Sequence, residues 1–329
     1  MAYTRRDFGK MAMAAVPAAA ALSSAAPASA AAPNSKISGV QIGLITYSLR
    51  QGVAKADLPA TIAKIGINSV ELMSGDAEAM AGAPVVPAGR GGGGGRAPLT
   101  PEQQAAQVAA RKAITDWRAA ATPATFQAVR KQFNDVGIDL QILCYNMGVT
   151  ITDEEIDYAF RMAQAMGVRA ISSSSTVSVA KRVAPFADKY KLMWGGHGHN
   201  NITDPEQFGT EESFEKIMSF SKYIGANLDV GHYNQTGEDA VAFIQRHNER
   251  ITNIHIKDST APTAPGTVPN VLTAWGDGNA PIFPVLRLMR KEHYPFAANI
   301  EFEYPIPAGS DAITEIGKCL SFAKNCLDT

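Results

Sequence analysis

Trp194-Gly195-Gly196-His197-Gly198-His199-Asn200, Leu228-Asp229-Val230-Gly231-His232, Ile254-His255-Ile256-Lys257-Asp258 and Ile300-Glu301-Phe302-Glu303-Tyr304 end four successive apolar runs in the second half of the chain. Each run has the length of a buried strand, and each ends in side chains able to ligate a divalent ion. Parallel strands that bring His, Asp, His and Glu to one rim describe a closed α/β barrel with its site at the C-terminal ends of the strands.

The rest of the chain reads the same way. Val40–Ile45, Ser69–Met73, Ile138–Cys144, Val168–Ser172, Tyr190–Trp194, Ala226–Val230, Ile251–Ile256 and Ala297–Phe302 read as eight strands. Helical segments lie between them, among them Ala60–Ile65, Pro101 to Arg118, Phe126–Val136 and Asp153–Met166, the last with Asp153 as N-cap and Gly167 as C-cap. Most strand-to-strand repeats are about 20–45 residues, the length of a βα unit. The expectation is a single-domain (β/α)8 TIM barrel over residues 38–329, entered through a linker at 31–37.

The first 30 residues read as a signal. Thr4-Arg5-Arg6-Asp7-Phe8-Gly9-Lys10 is a twin-arginine motif, Met11 to Leu22 is apolar and alanine-rich, and Ala28-Ser29-Ala30 is a small-residue cleavage site. The expectation is export through the twin-arginine machinery to the periplasm or beyond. Removing Arg5, Arg6, Lys10 and Asp7 from 30 basic and 31 acidic residues leaves 27 and 30, a net charge of −3. That balance points to neither nucleic acid nor an anionic membrane. No later segment reaches the roughly 18 uninterrupted apolar residues of a membrane span. Three cysteines, Cys144, Cys319 and Cys326, without a C-x-x-C, argue against a disulfide framework, although Cys319 and Cys326 could pair in an oxidising compartment. A homo-oligomer is compatible with the sequence.

One interval breaks the repeat. Between the second and third strands lie Ala83-Pro84-Val85-Val86-Pro87 and then Arg90, five glycines and Arg96. This insertion, at about 75–100, reads as a mobile loop, because five consecutive glycines do not offset their ordering entropy. It is no phosphate loop: it does not follow a strand directly and lacks Gly-Lys-Ser/Thr. A bland insertion and a flap over the substrate remain equal alternatives. The sequence also lacks the Gly-x-Ser-x-Gly elbow of serine hydrolases and a strand-opening Gly-x-Gly-x-x-Gly for a nicotinamide cofactor.

Gly43-Leu44-Ile45-Thr46-Tyr47-Ser48, Val70-Glu71-Leu72, His197-Gly198-His199-Asn200, Leu228-Asp229-Val230-Gly231-His232, His255-Ile256-Lys257-Asp258, Gly276-Asp277-Gly278 and Ile300-Glu301-Phe302-Glu303 occur in that order. Together they resemble the xylose-isomerase-like TIM barrels, the sugar phosphate isomerase/epimerase superfamily, over roughly residues 38–325. The resemblance implies a divalent metal (Mn²⁺, Mg²⁺, Co²⁺ or Zn²⁺) held by Asp229 on strand six, His255 on strand seven and Glu301 or Glu303 on strand eight. Strand five supplies a glutamate in sugar epimerases; here that position falls at His197 or His199. A mechanism in which one carboxylate removes a proton and another returns it thereby loses a member.

The residues taken singly leave alternatives. Asp229 is a metal ligand or the cap of the next helix, and His255 a ligand or a satisfied core histidine. Glu301 and Glu303 alternate along one face, so one is a ligand and the other a base or substrate contact, with Glu301 favoured as ligand. The expected metal set is therefore His197, Asp229, His255 and Glu301. His197, His199, Glu303 and Lys257 are the catalytic candidates, with pairing to a carboxylate the alternative for Lys257; Glu71, His232, Trp194 and Tyr145 are the substrate contacts, with a deep polar residue of the barrel the alternative for Glu71, a helix cap for His232 and core packing for the two aromatic rings. His247 and His293 have no assigned role.

The first expectation of function is a metal-dependent sugar isomerase or epimerase working by proton abstraction next to a carbonyl. The alternative is a lyase or dehydratase, with β-elimination on a 3-keto-glycoside or an inosose, which export and the histidine at strand five both favour. A non-catalytic carbohydrate-binding barrel is a third reading. An abasic-site endonuclease is disfavoured by export and by the lack of a basic face.

Overall fold

The computed structural model describes residues 32–85, 100–264, 267–269 and 271–329. The twin-arginine motif, the cleavage site and Gly91 to Gly95 lie outside the described residues. Eight parallel strands close on themselves: β1 (Val40–Ile45), β2 (Ser69–Met73), β3 (Asp139–Cys144), β4 (Ala170–Ser174), β5 (Met193–His197), β6 (Ile224–Asp229), β7 (Ile251–Ile256) and β8 (Ala298–Ile300). The circle closes where Asn299 of β8 lies beside Gly43 of β1 on one side and His255 of β7 on the other. The strands form because aliphatic residues fill the face turned to the helices: Val40, Ile42, Leu44, Val70, Leu72, Ile171, Leu228, Ile254 and Ile300 are all at most 1% exposed, whereas the inner face carries Gly43, Glu71, Ser172, Asn227, Asn253 and Asn299. Amphipathic helices cover the outer face, and this fold is the expected TIM barrel. Among the described residues no helix is long and apolar enough to cross a membrane.

Several boundaries move. The fifth strand begins at Met193, not Tyr190, because the preceding helix runs Val177–Tyr190 and ends on Lys191 in the left-handed region at φ 51°. The helix Asp153–Met166 is capped by Thr152, whose hydroxyl accepts from Glu155 N, while Gly167 ends it at φ 60° as expected. Lys36–Ile37, expected within a linker, pairs antiparallel with Val40 and Gln41. All three cysteines are buried free thiols.

Two register shifts bear on the site. One falls between Val70 and Glu71 against β3, the other between Ala226 and Asn227 against β7. Each leaves one residue of the facing strand, Gln141 or Thr252, outside the ladder, and such bulges re-aim the side chains beside them.

Candidate metal and active site

His197 ends β5, Asp229 ends β6, His255 lies on β7, and Glu301 follows β8, where its N–H donates to Ile256 O at 3.1 Å and prolongs the pairing. All four are buried, and one ligand atom from each lies within 4.8 Å of the others. Asp229 caps a helix with one oxygen and turns the other into the cluster. Its Oδ1 accepts from His232 N at 2.8 Å and caps the helix Val230–Thr236. Its Oδ2 turns inward, 3.9 Å from His197 Nε2 and 2.9 Å from Lys257 Nζ.

Lys257 is the cation of the cluster. Its ammonium also meets Glu301 Oε2 at 2.8 Å and Glu303, and lies 3.2 Å from His232 Nε2. Burial lowers its pKa, but Asp229, Glu301 and Glu303 outweigh burial and raise it. Gly231 makes room for this side chain: a Cβ there would lie 2.3 Å from Lys257 Cγ and 2.8 Å from its carbonyl oxygen, backbone that cannot yield cheaply. Gly231→Ala is expected to cost about 1–3 kcal/mol as an overpacking change and to displace the ammonium. Urea unfolding reads the cost; unchanged stability would show that the strand simply shifts.

His255 lies between Glu71 and Glu301, with Nε2 2.7 Å from Glu71 Oε2 and Nδ1 2.9 Å from Glu301 Oε2. Burial works against a proton on this ring, yet the two carboxylates outweigh it and hold its pKa well above the ordinary value. Burial alone would raise the pKa of Glu301; Lys257 and His255 overcome it and hold it well below the usual carboxylate range. The other imidazoles behave oppositely. Burial, then the neighbouring His255 and His199, pushes His197 well below its usual value. Burial and His232 push His199 down to about 4. Both are neutral at pH 7.

These residues fit a divalent ion. Two imidazoles and two carboxylates form a mixed nitrogen and oxygen donor set. His197 Nδ1 and Asp229 Oδ2 are buried without a hydrogen-bond partner, the latter within ion-pair range of Lys257 and His197. Four carboxylates, Glu71, Asp229, Glu301 and Glu303, face two cationic groups, Lys257 and His255. A divalent cation offsets that imbalance.

The remaining candidates fall in different places. His199 is half-buried, its ring 4.8 Å from that of His197 and 5.2 Å from that of His232. His232 is 9% exposed and its Nδ1 lies 3.0 Å from Gln235 Oε1. Glu303 is the more exposed of the two strand-eight carboxylates. Three expected substrate contacts lie in the interior, where the alternative reading of each had them. Trp194 is fully buried and out of phase with His197, on the side where a Cβ at Gly196 would meet Ile217 and Phe208 of the outer layer. Tyr145 is buried edge-on against Tyr158. Glu71 is wholly buried, with both oxygens already engaged by protein donors.

Three of those donors, Asn227, Asn253 and Asn299, were not found in the sequence. A signal for them exists. Each asparagine stands two residues before a site residue, in Asn227-x-Asp229, Asn253-x-His255 and Asn299-x-Glu301, and so shares its inward face. Gln235, which also accepts from Asn200 Nδ2 at 2.9 Å, gave no such signal.

Comparison with known proteins agrees with this architecture. The probable 3-DHS dehydratase AsbF of petrobactin synthesis from Bacillus anthracis is similar at TM-score 0.59 and 12% identity, over 86% of this chain and 98% of that one. The IolI protein, described with a bound zinc atom, is similar at TM-score 0.59 and 13% identity, over 88% and 99%. A sugar phosphate isomerase/epimerase from Parabacteroides distasonis ATCC 8503 is similar at TM-score 0.53 and 16% identity, over 95% and 100%. At these identities the likeness is one of fold. No curated protein sequence matches significantly. A family model described as xylose isomerase-like TIM barrel matches residues 60–324, and with the closed barrel this shows that the chain belongs to the xylose isomerase-like TIM barrel family.

Proposed function

We propose that this protein is a divalent-metal-dependent enzyme that moves a proton next to the carbonyl of a small carbohydrate, isomerising or epimerising it. The observation that carries the reading is the buried His197, Asp229, His255 and Glu301 cluster, at the rim where such barrels do their chemistry. The zinc described in IolI and the isomerase/epimerase among the similar folds support it. A bound divalent ion supplies Lewis acidity that polarises the carbonyl and acidifies the adjacent C–H. The chain's own groups do the rest. His199, neutral and half-buried at the mouth, accepts the proton. The Lys257 ammonium, held charged, steadies the negative oxygen that develops. Glu303, tied to Lys257, is the second carrier of protons.

A second reading is β-elimination. It is favoured by one observation: β5 delivers an imidazole where a two-carboxylate epimerase has its second acid, whereas Lys257 stands charged as a proton donor to a leaving group. The twin-arginine motif supports a periplasmic or secreted location, where free glycosides and oxidised sugars are found.

Incubation of metal-loaded protein with aldoses, ketoses and 3-keto-glycosides in D₂O, followed by NMR, tests the proposal. Deuterium beside the carbonyl with an isomer or epimer as product is expected; loss of a substituent would establish elimination, and no exchange with any sugar would leave a binding protein. His199→Asn is expected to slow exchange by about 10²- to 10⁴-fold, the usual cost of losing a general base, with metal content unchanged. Near-native exchange would pass the role to Glu303.

A further inference from the structure

Glu71 lies beneath the ligand cluster, where four other strands converge on it. Its Oε1 accepts from Ser172 of β4 and, at 3.3 Å, from Asn227 of β6. Its Oε2 accepts from Asn253 of β7 at 2.6 Å and Asn299 of β8 at 2.7 Å, and faces His255 Nε2 at 2.7 Å. Gly43 leaves space for Asn299, whose Oδ1 a Cβ there would meet at 2.1 Å. The two register shifts fall beside Glu71 and Asn227, so the ladder itself is adjusted around this carboxylate.

A carboxylate facing donors on every side acts as acceptor, so His255 Nε2 carries a hydrogen. Asn227 Nδ2 lies 3.2 Å from the same nitrogen and gives one of its two hydrogens to Glu71 Oε1, but the closer contact decides: at 2.7 Å an unprotonated Nε2 would set its lone pair against Glu71 Oε2. The free lone pair of a neutral His255 ring is then on Nδ1, the nitrogen turned towards Glu301 and the other ligands.

We infer that Glu71 is the positioning residue of the metal centre: it fixes the His255 ring by its Nε2–H and presents Nδ1 to the ion. The inference rests on the proposed metal reading. A histidine whose outer nitrogen is bound by a carboxylate is both oriented and made a stronger donor. The hydroxyl and three amides around Glu71 keep its charge satisfied without any help from the ion, which is what a fixed support requires. A mere tie between strands needs no negative charge there; glutamine would serve.

Glu71→Gln separates these roles. Titration with Co²⁺ against a chromophoric chelator is expected to show an affinity loss of about 10- to 100-fold, the usual effect of removing such a partner, with an altered visible absorption of the bound Co²⁺. Unaltered affinity and spectrum in the variant would overturn the inference and leave Glu71 a strut, with the metal reading intact. Failure of the wild-type protein to bind Co²⁺ or Zn²⁺ would overturn both. Should the variant not fold, ¹⁵N NMR of the Zn²⁺-loaded wild-type protein decides: the expected His255 ring keeps its hydrogen on Nε2 and none on Nδ1. A hydrogen found on Nδ1 instead would refute the assignment.

Discussion

Asp229→Asn is expected to strip the divalent ion from the protein and abolish proton exchange while leaving the barrel folded. The substitution isolates charge from shape. Asparagine caps helices as well as aspartate does, so the bond from His232 N that begins the helix Val230–Thr236 survives. What is lost is the anionic Oδ2 that faces His197 and Lys257. Removing a partner outside the coordination shell costs about 10- to 100-fold in metal affinity; loss of a carboxylate ligand should exceed that. Metal content after dialysis, read beside exchange in D₂O and far-UV circular dichroism, gives the answer. A folded variant that keeps both its metal and its exchange would remove Asp229 from the site.

Lys257→Met carries the largest effect on stability. The ammonium is buried among Asp229, Glu301 and Glu303, and methionine of nearly the same length leaves these carboxylates without it. Breaking a buried charge network from one side costs about 3–5 kcal/mol. The cost should appear in urea titrations run with a chelator and shrink when Zn²⁺ or Mn²⁺ is added, because the ion supplies positive charge to the same oxygens. Metal should therefore stabilise the variant more than the wild-type protein. Equal stability of the two in chelator would show that Lys257 compensates nothing.

The barrel was legible because most of its strands carry apolar residues at alternate positions and end in polar residues, a pattern set by burial of one face under the helices. The fifth strand was misplaced for a local reason. Tyr190-Lys191-Leu192-Met193-Trp194 has strand-like composition, but Tyr190 belongs to the helix before it, and Lys191 makes the left-handed turn usually given to glycine. The strand then runs through Gly195 and Gly196, which propensity disfavours but packing requires: a Cβ on Gly195 would meet Thr252, and one on Gly196 would meet Ile217. The four clustered side chains could be read because each lies at or next to the end of its own strand. The role of Glu71 could not, since it depends on which side chains from four other strands meet across the barrel. Tyr145 and Trp194 were open to misreading because aromatic rings suit a sugar platform and a core equally well; only the phase of the strand or the neighbouring ring decides.

The converging bonds on Glu71 also impose an order of assembly. Its partners stand 101, 156, 182, 184 and 228 residues away along the chain. Contacts of such separation come late, since loop-closure entropy must be met before they stabilise anything. Helices and neighbouring strand pairs can form early and piecemeal, but this floor is finished only when β8, about 30 residues from the C-terminus, docks between β7 and β1. The site is thus a late product of folding, and a nascent chain halted before Asn299 holds neither the completed floor nor Glu301 above it.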